Sequence, residues 1–357
     1  MSKQNAAGVD THRDTHSIAI IDSGGQILKQ WTISATVEGY QQAIADAVEF
    51  GDVVWGIEGT GSYGRGFADS LLKAGATVYE VPGNLTKRHR RHSSRKGKSD
   101  QQDAQAIAEV VLREGDRLPR VEQLDEQEAI RLLYDRRDRC VRSRTESINR
   151  LRAGALRLAL RDLPQDLTSG VALDRYEDAL RTVLASSHTS RALIDEMSDT
   201  IADVRRLNST ISALERRLIP FVSRLVPDLI EMRGVSTVVA AGLVGHAGNL
   251  NNCRNADAFA MRAGVAPVSC SSGRSDSVRV NTGGNRQLNR CLHIIALTQI
   301  RSDGHVGKVY YDRKRSEGKA HRSALRALKR QLATVVFLRL KTASTKVDAA
   351  APAAIAA

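Results

Sequence analysis

Between Gly8 and Glu114, short apolar runs alternate with amphipathic stretches, which predicts a mixed α/β domain. The clearest predicted elements are strands at Ser17–Asp22, Gln26–Ile33, Val53–Ile57 and Thr77–Val81, and helices at Val37–Phe50 and Gly64–Gly75. The element order is β-β-β-α-β-α-β, followed by a basic loop and a further helix. An antiparallel meander followed by βα units favours a ribonuclease-H-like fold.

The middle of the chain, from Glu122 to Leu225, is helical and charged, with few glycines. An apolar seam with alternating spacings of three and four predicts a coiled coil or a long bundle helix over Val204, Leu207, Ile211, Leu214, Leu218, Phe221 and Leu225. Pro220 is expected to kink or end this helix. An earlier arm has a weaker seam, interrupted by Arg137 and Arg144, which suggests a helix that also faces nucleic acid or another subunit.

We expect the two arms to form an antiparallel hairpin joined by a loop near Pro164–Gly170. This hairpin is either a spacer and dimerisation element or a plain helical bundle. A third region begins near Arg233 and is expected to be mainly helical. The alanine-rich end, Lys341–Ala357, has little to bury and is expected to be disordered.

The charge balance favours a polyanionic partner. The 357 residues include 53 Lys and Arg against 40 Asp and Glu, a formal net charge of +13. For a protein without a membrane segment, nucleic acid is the partner that such a surplus most often serves. Aromatic residues are only 4% of the chain, so contacts with the phosphate backbone are favoured over base stacking.

The cysteines and the N-terminus indicate a cytoplasmic protein. Four cysteines without regular spacing predict free thiols in a reducing compartment rather than a zinc site: Cys140, Cys253, Cys270 and Cys291. The N-terminus lacks an apolar signal core, and no apolar stretch is long enough to cross a membrane.

Four acidic residues stand where the predicted fold can bring them together. Asp10 precedes the Ser17–Asp22 strand, Glu58 ends the Val53–Ile57 strand, and Asp100 and Asp103 open a helix for which Ser99 is the candidate N-cap. Four carboxylates in one pocket repel each other unless a cation neutralises them. We therefore predict a site for Mg²⁺, with two ions and with Mn²⁺ able to substitute, suited to in-line phosphoryl transfer.

A basic run separates the last predicted strand from that helix. Lys87–Lys98 contains seven cationic residues and no acid, and its position beside the predicted metal site favours a loop that grips phosphates. The predicted contacts are Lys87, Arg88, Arg90, Arg91, Arg95, Lys96 and Lys98.

Three motifs in this order resemble the DEDD-type transposases of the insertion sequence 110 family: Gly8–Asp22 (GVDTHRDTHSIAIID), Trp55–Gly64 (WGIEGTGSYG) and Lys96–Ala108 (KGKSDQQDAQAIA). The stretches Arg233–Ser275 and Asn281–Gln299 resemble the second domain of that family. The resemblance implies a RuvC-like nuclease domain with Asp10, Glu58, Asp100 and Asp103 as metal ligands. It divides the chain into a RuvC-like domain at 1–117, a helical coiled-coil region at 118–228, a serine transposase domain at 229–340 and a tail at 341–357.

The resemblance also implies a serine nucleophile. In this family a P-x(n)-S-G segment supplies it, and here that segment ends at Ser272, with Ser271 and Ser269 as the alternatives. A serine that attacks a phosphodiester needs cationic donors to hold the developing charge. The candidates are Arg274, Arg279, Arg286 and Arg290.

Two kinds of partner follow only from the resemblance. A structured RNA encoded by the element is expected to guide the choice of donor and target DNA. A homo-oligomer, dimer or tetramer, is expected to let the serine domain of one subunit complete the metal site of another.

Three other functions compete with this interpretation. A RuvC-like nuclease or junction resolvase would use water as the nucleophile and leave Ser272 without a role. An actin-like ATPase or sugar kinase is suggested by a loose likeness of Gly8–Asp22 to a phosphate loop, and the basic run argues against it. A non-catalytic nucleic-acid-binding protein would bind without metal and without Asp10.

Overall fold

The structure is a computed structural model that describes residues 4–86, 99–122, 125–272 and 275–350. The chain forms two compact units, Met1–Leu124 and Asp125–Ala357. The finer division at residues 117, 228 and 340 stays a prediction. None of the helices in the described ranges is long and apolar enough to cross a membrane.

The first unit is built on a five-stranded mixed sheet. Its strands are β1 (Asn5–Thr11), β2 (Thr15–Ile21), β3 (Ile27–Ser34), β4 (Val53–Ile57) and β5 (Val78–Glu80). The sheet order is β3-β2-β1-β4-β5, antiparallel from β3 to β1 and parallel from β1 to β5. The predicted α/β class and element order are confirmed.

Helices cover both faces of this sheet. They are α1 (Val37–Ala47), α2 (Arg65–Lys73) and α3 (Asp100–Glu114), with 3₁₀ turns at Val48–Phe50 and Gly115–Arg117. Ala7 and Val9 of β1 share a core with α1 and α2, whereas Ala6 shares a second core with α3. Because side chains alternate along a strand, even-numbered positions of β1 face α3.

The second unit is helical apart from one β-hairpin. Its helices are α4 (Asp125–Arg157), α5 (Gly170–Arg181), α6 (His188–Leu225), α7 (Pro227–Ile230), α8 (Thr237–Ala247), α9 (Ala256–Arg262), α10 (Arg286–Ile300), α11 (Val306–Ser316) and α12 (His321–Ala350), with a 3₁₀ turn at Leu250–Asn252. The hairpin consists of β6 (Pro267–Ser272) and β7 (Ser275–Val280), paired antiparallel. Helix α12 continues beyond residue 340, into the segment expected to be disordered.

The long helices α4 and α6 pack side by side as an antiparallel pair. Arg137 Nη2 lies 2.8 Å from Glu215 Oε1, and Arg144 Nη1 donates to Asn208 Oδ1 at 2.8 Å, so the two helices run in opposite directions. These two arginines therefore join the arms of the hairpin, which corrects the expectation that they face nucleic acid or another subunit. Coiled-coil geometry stays a prediction.

Two features of this region add to the sequence expectation. Pro220 was expected to kink or end helix α6, and the helix does not end there but continues to Leu225. The connection between the arms is more than a loop, because it contains helix α5, whose Leu173 and Tyr176 are fully buried between the arms. Helix propensity alone did not reveal this helix because packing stabilises it.

Candidate metal centre and serine hairpin

Asp10 and Glu58 lie at the same end of the sheet because strands β1 and β4 are parallel and in register. Val9 pairs with Ile57, so the next residue of each strand is an acid at the carboxyl end. The amide of Glu58 donates to Val9 O at 3.3 Å, and Thr11 Oγ1 donates to Glu58 O at 2.8 Å. These two bonds fix the backbone of Glu58 beside β1.

Two adjacent glycines allow α3 to pack closely on this part of the sheet. Gly8 and Gly56 are partners in the β1–β4 register. A Cβ at Gly8 would collide with the backbone of Ala104 and Ala108, and one at Gly56 would collide with Val111. The glycine pair therefore lets the helix that begins with Asp100 lie against the strands that end in Asp10 and Glu58.

The first turn of α3 brings two further acids to this end of the sheet. Ser99 is its N-cap, as predicted, and accepts from Gln102 N at 3.3 Å. Asp103 is buried, with 8% of its surface exposed, whereas Asp100 is exposed. The helix N-terminus favours negative charge at both positions.

His12 lies between two of the four acids. Its Nε2 is 3.3 Å from Asp10 Oδ2 and 3.4 Å from Asp100 Oδ1. Ligand atoms of these three residues all lie within 4.8 Å of one another, close enough to hold one metal ion. Sequence reasoning missed His12, although its position two residues after Asp10 in the sequence was a usable signal.

The charges of the other three predicted acids act on the pKa of Asp10. Burial raises this pKa, the nearby His12 opposes the change, and the charges of Asp103, Asp100 and Glu58 raise it further. Like charges disfavour ionisation when they share a site, and a bound cation removes that penalty. Carboxylate oxygens are the ligands preferred by hard divalent ions, so these residues fit a metal centre.

Glu80 supports the turn that follows Glu58. Its Oε2 accepts from Thr60 N at 3.0 Å and from Thr60 Oγ1. Burial raises the pKa of Glu80, the backbone amides of Thr60 and Gly59 oppose this change, and the charge of Glu58 adds to it. Gly83 also lies against Glu58, since a Cβ at Gly83 would collide with Glu58 Oε1. Glu80 is a positioning residue that sequence reasoning also missed.

Replacing Gly8 with alanine should damage stability and activity together. The added methyl group forces α3 away from β1, so we expect the free energy of unfolding to fall by about 2–3 kcal/mol. A shift of about 1 Å in the acids should reduce DNA cleavage roughly a hundredfold. Urea unfolding and a single-turnover cleavage assay measure the two effects.

Gly61→Ala is the matched control, because a Cβ at Gly61 meets nothing within 4 Å. It should leave both quantities nearly unchanged. A Gly8→Ala variant with full cleavage activity would contradict the role given to the glycine pair.

Several predicted contacts cannot be placed. The basic run Lys87–Lys98 and Arg274 lie outside the described residues. Ser269, Ser271, Ser272 and Arg279 lie on the β6–β7 hairpin, where Ser271 pairs with Asp276 and Ser272 with Ser275. The candidate nucleophiles therefore all lie on strand β6, with Ser272 as its last residue.

Arg290 holds a buried carboxylate on α4. It pairs with Asp138, which is 3% exposed and also accepts from Gln287 Nε2 at 3.3 Å. Burial acts to raise the pKa of Asp138, but the hydrogen bond and charge of Arg290 hold it below its ordinary value. Arg286, one turn earlier, lines a cleft of about 550 Å³ beside this pair.

Replacing Arg290 with methionine should lower the free energy of unfolding by about 2–3 kcal/mol, because it leaves the buried Asp138 without its main partner. Asp138→Asn in the same chain should restore much of the loss. Arg181→Met is the control, since the partners of Arg181 among the described residues are the exposed Asp178 and the half-buried Glu177, and neither is buried like Asp138. Unchanged stability with weaker DNA binding would instead support the predicted phosphate contact of Arg290.

Helix α8 is a buried packing element. Nearly every residue from Val239 to Ala247 is buried, and a Cβ at Gly245 would lie 2.8 Å from Arg131 Cα. Of the described cysteines, Cys253 and Cys291 are buried free thiols and Cys140 is partly buried and free. Burial raises the pKa of Cys291 to about 11, so this thiol is unreactive.

Comparison with known proteins identifies the family. A family model described as a transposase, of the DEDD IS110 type, matches residues 7–159 and contains all four acids. A second model, described as the transposase IS116/IS110/IS902 family, matches residues 227–312 and contains the serine hairpin. The two matches together span more than half of the chain. The chain belongs to the IS110 family of transposases.

Curated relatives of this IS110-family transposase are also products of insertion elements. The 42 kDa protein of insertion element IS900 from Mycobacterium paratuberculosis is 27% identical over 94% of this chain and 95% of its own length. The 44.8 kDa protein of insertion element IS116 from Streptomyces clavuligerus is 25% identical over 94% of both. The 43.6 kDa protein of IS110 from Streptomyces coelicolor is 31% identical over 47% of this chain and 42% of its own.

Among solved structures, Thermus thermophilus RuvC in complex with a Holliday junction substrate is similar to 33% of this transposase and 99% of its own chain, with 13% identity and a TM-score of 0.27. A second RuvC structure from Thermus thermophilus has 15% identity and a TM-score of 0.25. As a transposase, the protein is an enzyme of DNA recombination.

Proposed function

We propose that this transposase cuts and rejoins DNA with a RuvC-like, ribonuclease-H-like domain that holds divalent cations and a C-terminal domain that supplies a serine nucleophile. The first half is supported by Asp10, His12 and Asp100, whose ligand atoms lie within 4.8 Å of one another. Glu58 follows β4 at the same end of the sheet as Asp10, and Asp103 lies on the same first helical turn as Asp100. Mg²⁺ is the proposed ion, and when bound it supplies Lewis-acid stabilisation of charge on the phosphate.

The positions of the proposed metal ligands are fixed by the strands and the helix that carry them. Asp10, fixed on β1, is central because the other three acids all act on it. Asp103 is held on the first turn of α3, and the backbone of Glu58 is held by hydrogen bonds to Val9 and Thr11 of β1. Asp100 and His12 are more exposed than Asp103, and we propose that they are the members of the site that a DNA strand reaches first.

The serine half of the proposal concerns bond exchange. Ser272 Oγ forms a bond to phosphorus, the bond from phosphorus to the neighbouring nucleotide oxygen breaks, and that oxygen leaves as a hydroxyl that carries, in net balance, the serine proton. The phosphoserine link conserves the energy of the phosphodiester, so a second hydroxyl can displace the serine and rejoin a new strand. The two-domain family match and the presence of these serines on strand β6 support this role.

Guide RNA and oligomer formation belong to the same proposal. The surplus of cations and the small number of aromatic residues suit a protein that grips nucleic-acid backbones while base pairing selects the sequence. A homo-oligomer would bring a serine hairpin of one subunit to the carboxylates of another.

The test is a denaturing gel of the full chain incubated with Mg²⁺, DNA carrying its own genomic flanks, and RNA transcribed from those flanks. We expect a protein–DNA adduct that requires the cation and yields phosphoserine on hydrolysis. Cation-dependent cleavage that yields only free DNA ends would overturn the serine half and identify a metal nuclease or resolvase. ATP hydrolysis without DNA would overturn the whole proposal.

A further inference from the structure

A pocket lined by cationic side chains lies at the start of strand β6, on the hairpin that carries the candidate serines. The pocket, of about 620 Å³, opens between helix α12 and the segment that leads into β6. Gly264–Pro267 line one side, and the other side carries four cationic residues, Lys319, Arg326, Lys329 and Arg330. Among the described residues that line this pocket, none is acidic.

Lys329 is the unusual member of this group because its side chain is buried. The residue is 8% exposed, and its Nζ donates to Asn289 Oδ1, a neutral acceptor. Burial lowers the pKa of Lys329, and the charge of Arg326 lowers it further. Within the described ranges, Lys329 forms no ion pair with a carboxylate, whereas Arg330 pairs with Asp257.

Asn289 connects this lysine to the hairpin. Its Nδ2 donates to Ala263 O at 3.1 Å and to Gly264 O at 3.0 Å. Asn289 therefore holds the backbone just before β6 and presents its oxygen to Lys329. A buried ammonium without a counter-charge is costly to the fold, and a pocket of like charges increases that cost. An anionic ligand in the pocket would remove it.

We propose that this pocket binds a phosphate of the DNA backbone, with Lys329 and Arg326 as the contacting cations. This inference rests on the proposed function, in which DNA is joined to a serine of the same hairpin. Pro267 lines the pocket and Ser272 ends the strand, so the two points lie about 17 Å apart at about 3.3 Å per residue. That length corresponds to about five nucleotides of duplex.

Binding of a fluorescein-labelled duplex DNA by the full chain, followed by anisotropy across a salt series in EDTA, tests the inference. Lys329→Met should weaken binding roughly tenfold at low salt. It should also reduce the slope of log affinity against log salt by about 0.9, the value for one phosphate contact. Arg326→Gln should change both quantities in the same direction, and Lys329→Arg should retain binding.

Lys308→Met is the matched control, because Lys308 pairs with Asp312 at 3.0 Å and does not line the pocket. Its affinity should stay within about twofold of wild type. The melting temperature of Lys329→Met should be unchanged or higher, since the variant removes a buried charge. If Lys329→Met has a lower melting temperature and Arg326→Gln binds DNA normally, Lys329 stabilises the fold and does not bind phosphate. That result would overturn the proposal.

Unchanged affinity and salt slope in both pocket variants would also overturn the proposal. So would variants that bind duplex RNA more weakly than wild type but bind duplex DNA normally. If Lys329→Met does not fold, Arg326→Gln decides the outcome. Because EDTA prevents cleavage and no step uses a serine, this result is independent of the adduct assay. Ethylation of single phosphates should weaken wild-type binding about five nucleotides from the linked phosphate.

Discussion

Asp10→Asn should reduce DNA cleavage by this transposase by at least about a thousandfold. Asparagine keeps the shape of the side chain but removes the charge at the centre of the four acids. Asp103, Asp100 and Glu58 all act on Asp10, so its loss should weaken cation binding as a whole. Single-turnover cleavage of end-labelled DNA, measured across a Mg²⁺ titration, gives the effect.

The same substitution, Asp10→Asn, should increase the thermal stability of the protein when no cation is present. The pKa of Asp10 is raised in the folded chain, so its ionised form opposes folding at neutral pH, and Asp10→Asn should raise the melting temperature without cation. Mg²⁺ should stabilise the wild type and not the variant. Asp14→Asn is the control, because Asp14 is exposed on the neighbouring turn and, among the described residues, its side chain pairs with Arg13 alone. Cleavage that survives Asp10→Asn would remove the carboxylate site from the mechanism.

Ser272→Ala should abolish the covalent protein–DNA adduct while leaving DNA affinity unchanged. The substitution removes only the hydroxyl proposed to form the bond to phosphorus and keeps the Cβ. The measurement is the denaturing gel with wild type and variant side by side at equal DNA occupancy.

Ser271→Ala and Ser269→Ala are the matched controls, because they occupy the same strand and carry the same change. Both should retain the adduct. Loss of the adduct in Ser271→Ala alone would transfer the role of nucleophile to Ser271. An adduct that survives all three substitutions would mean that the protein link is not made by this hairpin.

Local periodicity was enough to predict the end of β4 and the first turn of α3. Glu58 directly follows an apolar run, and Ser99 precedes two acids three residues apart, so their placement depends only on neighbours in the sequence. Asp10 was expected just before the Ser17–Asp22 strand, whereas it lies within β1. The family resemblance then implied that these acids bind metal ions together.

Features that depend on long-range pairing could not be predicted in this way. The contact of Gly8 with Gly56 requires the register of β1 and β4, and the pair of Asp138 with Arg290 joins residues 152 positions apart. The seam arginines were misjudged for the same reason, because their partners lie on the opposite arm. Charge on an amphipathic helix does not reveal whether its partner is nucleic acid or another helix.

The close fit of α3 on Gly8 and Gly56 couples cation binding to folding. The acids come from β1, β4 and α3, so they gather only when that helix docks, and their mutual repulsion then opposes the docked state. Without cation, α3 should therefore open more often than the central strands. Its amides should exchange hydrogen faster than those of β1, and added Mg²⁺ should slow that exchange selectively, which makes the helix a local sensor of metal loading.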